Sequence, residues 1–186
     1  MDTEDRINLL ARVARSPGAA KSAGGPTSIL TLAAASYGAK VTDDSTVPTG
    51  FDPNAARLFE ALVEGAYLVA SADGVVDESE RRTFEKVVVA ASGGVVTEAQ
   101  VEALVGDLAD ELAEDGLDAR LRAVGERASK RPQAEEVLRI AALLAQVSDN
   151  VSDVERAVLV KLAEACNLAP ADVDAAMEDV KKALAS

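Results

Sequence analysis

From Phe51 onward, apolar residues return every three or four positions, and each such stretch opens on a residue suited to cap a helix. Asp52 before Pro53 predicts an N-cap with proline at the first helical position, and a helix to about Ala72. Asp77 with Glu80 forms an acidic relative of the capping box, and the helix it opens should stop near Ser92-Gly93-Gly94. Thr97 with Gln100 opens a third helix to about Ala113, and residues 117–128 make a fourth. Pro132 starts a fifth ending near Val147, Ser152 with Glu155 caps a sixth that Asn167 can terminate, and Pro170 begins the last. The pattern predicts an all-α domain of seven helices over residues 51–186.

Residues 1–50 follow a different pattern. Ile7, Leu10, Ala11 and Ala14 stand at helical spacing, so residues 4–15 can form an amphipathic helix. SPGAAKSAGGP then reads as a flexible linker, followed by the apolar stretch SILTLAAASYG and the polar loop TDDSTVPTG. This region is expected to be an accessory arm that docks on the body, on a second chain or on a partner, or to be a partly disordered extension.

Composition supports helices: 48% of residues are apolar, mostly Ala, Val and Leu, with three Phe, two Tyr and no Trp. The net charge of −13 is uneven, because residues 1–42 hold five basic and three acidic side chains against fourteen and twenty-nine in the rest. An acidic body repels phosphate backbones and anionic membranes, which leaves cations or basic protein surfaces as partners. The chain has no His and a single Cys, Cys166, set on an apolar helix face. That removes His-centred catalysis, multi-Cys zinc sites and an intrachain disulfide. No stretch approaches the roughly 20 apolar residues of a membrane span, and the acidic start MDTEDRINLL does not read as a secretory signal, so a cytoplasmic protein is expected.

The corner SADGVVDESE, Ser71 to Glu80, has a second version in VSDNVSDVE, Val147 to Glu155. Set on each other, they bring Glu60 onto Glu136, Leu62 onto Leu138, Ala66 onto Ala142, Leu68 onto Leu144 and Asp73 onto Asp149. One gap later Glu80 meets Glu155, Phe84 meets Leu159 and Ala91 meets Cys166, and VEALVGDL from Val101 matches VDAAMEDV from Val173. The repeats, about 53–113 and 132–184, each read helix, acidic turn, helix, loop, helix, and two such units packed about an approximate two-fold axis bury a shared core.

LVASADGVVDESERRTFEKVV, its echo AALLAQVSDNVSDVERAVLVKLAEACNL and the final LAPADVDAAMEDV together resemble the TerB-like tellurite-resistance domain over about residues 51–186. The resemblance implies a bundle of about seven helices and a non-catalytic module linked to tellurite and other stress responses. It also implies weak binding of a divalent cation (calcium, magnesium, manganese or zinc) through acidic residues. The N-terminal domain of a membrane-anchored DnaJ-type co-chaperone is similar, but this chain carries neither a His-Pro-Asp motif nor a span. The second corner departs from the first, with Asn150 in place of Gly74 and one residue fewer between the turn Asp and the capping Glu.

Asp73, Asp77 and Glu80 in the first corner, with Asp149, Asp153 and Glu155 in the second, are the candidate metal ligands. An EF-hand loop is excluded by spacing. Helix capping by itself accounts for Asp77, Glu80, Ser152 and Glu155, whereas Asp73 and Asp149 follow a helix C-terminus, where the dipole disfavours a carboxylate. Glu60 and Glu136 are read as solvated helix faces. Two functional readings follow: a TerB-like module that binds a cation weakly and engages a basic protein surface, or an interaction adaptor whose acidic corners are only caps and whose N-terminal arm docks a partner. A carboxylate-dependent metal hydrolase comes third, for want of a nucleophile, a G-x-S-x-G elbow or a phosphate loop. No enzyme activity is expected.

Overall fold

Two stretches of the chain, ALVEGAYLV at residues 61–69 and EVLRIAALL at residues 136–144, are buried on every side, and the helices that carry them lie inside. In the computed structural model, which describes residues 2–17, 27–39, 51–74, 76–148 and 151–186, they are the two central helices. The elements are α1 (Thr3–Arg15), α2 (Ile29–Gly38), α3 (Pro53–Ala70), α4 (Glu78–Ala91), α5 (Glu98–Asp115), α6 (Leu117–Arg127) and α7 (Arg131–Leu144). A 3-10 turn (Ala145–Ser148) follows, then α8 (Asp153–Ala165) and α9 (Pro170–Ala185). The described residues contain no strand, and none of their helices is long and apolar enough to cross a membrane.

Helices α3 to α9 are the seven that the caps predict. Asp52 accepts the N–H of Asn54 at 2.9 Å ahead of Pro53. Thr97 and Gln100 cap each other's backbone at the start of α5, at 3.2 and 3.0 Å. Asn167 closes α8 in the left-handed region at φ 58°, and Gly116 turns the chain from α5 into α6 at φ 81°.

α3 packs against α7 and α2 most extensively, and α5, α6, α8 and α9 pack around the α3–α7 pair. Small residues permit the closest crossings. A Cβ on Gly65 would come within 2.9 Å of Val137 Cγ1 across the α3–α7 contact, and one on Gly125 would sit 2.0 Å from the carbonyl oxygen of Ala165 at the end of α8. Phe59, Leu62, Leu138, Leu143, Leu159 and Leu162 fill the space between and are fully buried.

Helices α1 and α2, from the region expected to be an accessory arm, dock on the body and contribute to this core. Ile7, Leu10, Ala11, Val13 and Ala14 of α1 are buried against α4, α7 and α9, and Leu30, Ala33, Ala34 and Tyr37 of α2 against α3. SILTLAAASYG is helical because Ser28 caps it, accepting the N–H of Thr31 at 3.2 Å, and because its small apolar side chains fit between helices. Residues 18–26 and 40–50, with the expected linker and polar loop, lie outside the described residues.

Candidate functional site

The two acidic corners are built as helix starts. At the first, Asp77 Oδ1 accepts the N–H of Glu80 at 2.8 Å while Glu80 Oε2 accepts the N–H of Asp77 at 3.0 Å. At the second, the Ser152 hydroxyl accepts the N–H of Glu155 at 3.2 Å and Glu155 Oε2 accepts the N–H of Ser152 at 2.7 Å. These reciprocal bonds satisfy N–H groups that a helix start leaves free, and the carboxylates lie at the positive end of the dipole. Glu155 is buried in this role, and Asp153 is exposed in the first turn of α8. Asp73 is exposed in the turn after α3, and Asp149 lies outside the described residues. Among the described residues no group of three or more ligating side chains is placed to hold a metal ion. For the divalent cation that the family resemblance implies, the first corner offers two carboxylates already committed to backbone N–H groups and one exposed aspartate, a poor fit to the six to eight oxygens of calcium.

The strongest electrostatics lie inside, at Glu64. This carboxylate, 1% exposed, sits near the middle of α3 where both helix faces are apolar. Arg120 Nε of α6 donates to its Oε1 at 2.7 Å, and Arg127 Nη1 donates to its Oε2 at 2.9 Å. Arg120 reaches further to the end of α5, with Nη1 donating to Asp115 Oδ2 at 3.0 Å. Its Nη2 lies against the Glu111 carboxylate without making a hydrogen bond. Three carboxylates thus share two guanidinium groups. Burial raises the Glu64 carboxyl above its ordinary value, more than Arg120 and Arg127 lower it. Burial alone would lower the Arg120 guanidinium, but its bonds to Glu64 and Asp115 raise it instead.

A second buried centre lies on α7. Arg139 clasps Glu136 with Nε donating to Oε2 at 2.8 Å and Nη2 to Oε1 at 3.0 Å. The same guanidinium donates to the carbonyls of Val13 at 3.1 Å and Ala14 at 2.9 Å, in the last turn of α1. Glu136 Oε1 accepts the N–H of Leu30, in the first turn of α2, at 3.3 Å. One pair therefore places a cation at the negative end of one helix and an anion at the positive end of the next. Glu136, read from the sequence as part of a solvated face, is buried, because an arginine one turn away neutralises it; Glu60 is half-buried.

Two further titratable groups are also shifted. Tyr37 stacks at a tilt on Phe59 with ring centroids 4.8 Å apart, and burial, then the charges of Glu60 and Asp107, raise its hydroxyl pKa. Burial pushes the Cys166 thiol up to about 11, the state of an inert core residue. The two buried centres consist of carboxylate and guanidinium groups, which fix helices and charge.

Sequence reasoning passed over Glu64 and Arg139. Both carry a legible signal, a charged residue inside a run whose neighbours on every side are apolar, as in ALVEGAYL and VLRIAALL. No protein-family model, curated protein or solved structure matches this chain.

Proposed function

We propose that this protein is a non-catalytic interaction module that engages the basic surface of a protein partner. The observation that carries this reading is the engagement of the corner carboxylates in reciprocal helix caps, which gives Asp77, Glu80 and Glu155 a structural role without an ion. The acidic body favours basic partners and repels nucleic acid.

Its kind is the TerB-like module, a pseudo-symmetric pair of helical repeats working in the cytoplasm as a sensor or scaffold in tellurite or general stress responses. Supporting this are the quoted sequence motifs, the matching caps at the starts of α4 and α8, and the close packing of α3 on α7. A second reading, weak divalent-cation binding, is favoured by one observation. Asp73 stands exposed past the C-terminal end of α3, where the helix dipole gives a carboxylate no support. Its ligands would be Asp73, Asp77 and Glu80, with Asp149, Asp153 and Glu155 at the other corner.

Calorimetric titration with calcium, magnesium, manganese and zinc separates the two. The adaptor reading expects no saturable heat from the wild type; saturable binding that disappears on Asp73→Asn with Asp149→Asn would replace it with the cation reading.

A further inference from the structure

We propose that Glu64, Glu111, Asp115, Arg120 and Arg127 form an internal proton switch, in which one proton taken up by Glu64 frees the Arg127 guanidinium to solvent while Arg120 stays in place. The switch goes beyond the adaptor reading and does not depend on it.

Three carboxylates meet two guanidinium groups where α3, α5 and α6 come together, so the cluster carries one negative charge in excess. Uptake of one proton cancels that charge. Glu64 gains most from it, because it is 1% exposed, whereas the Glu111 and Asp115 side chains are close to half exposed and keep water. Burial, the largest influence on the Glu64 carboxyl, favours the protonated form, and the Glu111 charge acts in the same direction against the pull of Arg120 and Arg127.

Charges on the other elements packed against α3 are committed elsewhere. α2 and the 3-10 turn carry none. On α7, Glu136 pairs with Arg139, and Arg131 with Glu135 and Asp172. On α8, Arg156 pairs with Asp174, Lys161 with Asp118 of α6, and Glu155 caps its own helix, while Asp153 and Glu164 are exposed. The remaining acids of α5 are exposed, as are Arg122 and Glu126 of α6 and Arg57 of α3. Within α3, Glu60 lies one turn before Glu64 and acts on Tyr37, and Tyr67 packs edge-on to Phe84.

The other partners of the two arginines decide which one lets go. Arg120, with a side chain 9% exposed, keeps Glu111 and Asp115 when Glu64 becomes neutral. Arg127 stands at the last position of α6, its side chain is 31% exposed, and among the described residues it pairs with Glu64 alone. A neutral carboxyl keeps one carbonyl oxygen, which serves Arg120, and turns a hydroxyl donor towards the Arg127 donor. The backbone of α6 stays where it is, since Gly125 lies close against the Ala165 carbonyl of α8; rotation of one side chain is enough.

The test is an NMR titration of the full chain, with ¹³C in the Glu carboxyls and ¹⁵N in the Arg side chains. The Glu64 signal is the one missing from Glu64→Gln. Its midpoint should lie above the ordinary 4.5, and the Arg127 side-chain signals should move towards those of exposed Arg122 with the same midpoint. At neutral pH Glu64→Gln, which holds the site uncharged, should speed guanidinium N–H exchange of Arg127 roughly tenfold and leave that of Arg120 unchanged. Arg127→Met takes a cation away from Glu64 and should raise its midpoint by about one pH unit. A Glu64 midpoint at or below the ordinary value, or Arg127 signals that do not follow it, would overturn the proposal. Release of Arg120 in place of Arg127 would do the same, as would loss of the fold by circular dichroism before Glu64 titrates.

Discussion

Glu64 and Glu136 lie on the two central helices, and each is a buried carboxylate held by arginine, but the surroundings of the two pairs differ. Around Glu64 every partner is a side chain: Arg120 and Arg127 reach in from α6, and Arg120 is itself shared with Glu111 and Asp115. Around Glu136 the pair is local, three residues apart on α7, and its outward bonds go to the backbone ends of α1 and α2. The first centre joins elements by matching charge to charge, with carboxylate in excess. The second is neutral within itself and uses its spare donors and acceptor to finish two helices. A buried ion pair can therefore be either a cross-brace or a cap, and the identity of its remaining hydrogen-bond partners decides which.

The most damaging way to test that contrast is Arg120→Met. It leaves a carboxylate that is 1% exposed with Arg127 alone, and the expected cost is about 3–5 kcal/mol of global stability by urea denaturation at neutral pH. A smaller effect, with a diagnostic sign, is expected of Glu64→Gln. The folded-state pKa of Glu64 is raised above its ordinary 4.5, so the folded protein holds this proton to higher pH than the unfolded chain. Its contribution to stability is then fully present below the ordinary value and is lost as pH rises through the raised one. Because Gln does not titrate, the stability of Glu64→Gln relative to wild type should improve as pH rises through that window; a difference flat with pH would place the carboxyl at its ordinary value. The mildest changes are Asp77→Ala and Ser152→Ala, each expected to cost about 1 kcal/mol through loss of a cap. Since neither touches a buried pair, amide exchange around Glu64 and Glu136 should stay as in wild type.

The seven helices from Pro53 on were legible because their boundaries are written locally. Asp52, Thr97 and Ser152 cap from their own side chains, and Asn167 or a glycine ends the helix, within a few residues of where the apolar stripe starts or stops. Docking of α1 and α2 on the body was one of the open readings, but where they dock was not legible, for the opposite reason. α2 is apolar with little periodicity, so nothing in ILTLAAASYG says which face is inward, and what places α1 is Arg139, 125 residues beyond Ala14. The corner residues Asp77, Glu80 and Glu155 could be recognised as caps, whereas the pairing of the interior charges could not. Glu64 finds its counter-ions 56 and 63 residues away, and a pairing at that distance leaves no local spacing rule to follow. Glu136 and Arg139 do obey such a rule, i and i+3 on one helix, but that rule describes an exposed pair as readily as a buried one.

The bond from Arg139 to Val13 also sets an order of events during synthesis. The last turn of α1 is made 126 residues before the guanidinium that completes it. At about 5–20 residues per second a ribosome needs on the order of 6–25 s to cover that distance. For that interval α1 carries an apolar stripe with neither α7 nor its C-terminal donor yet in place.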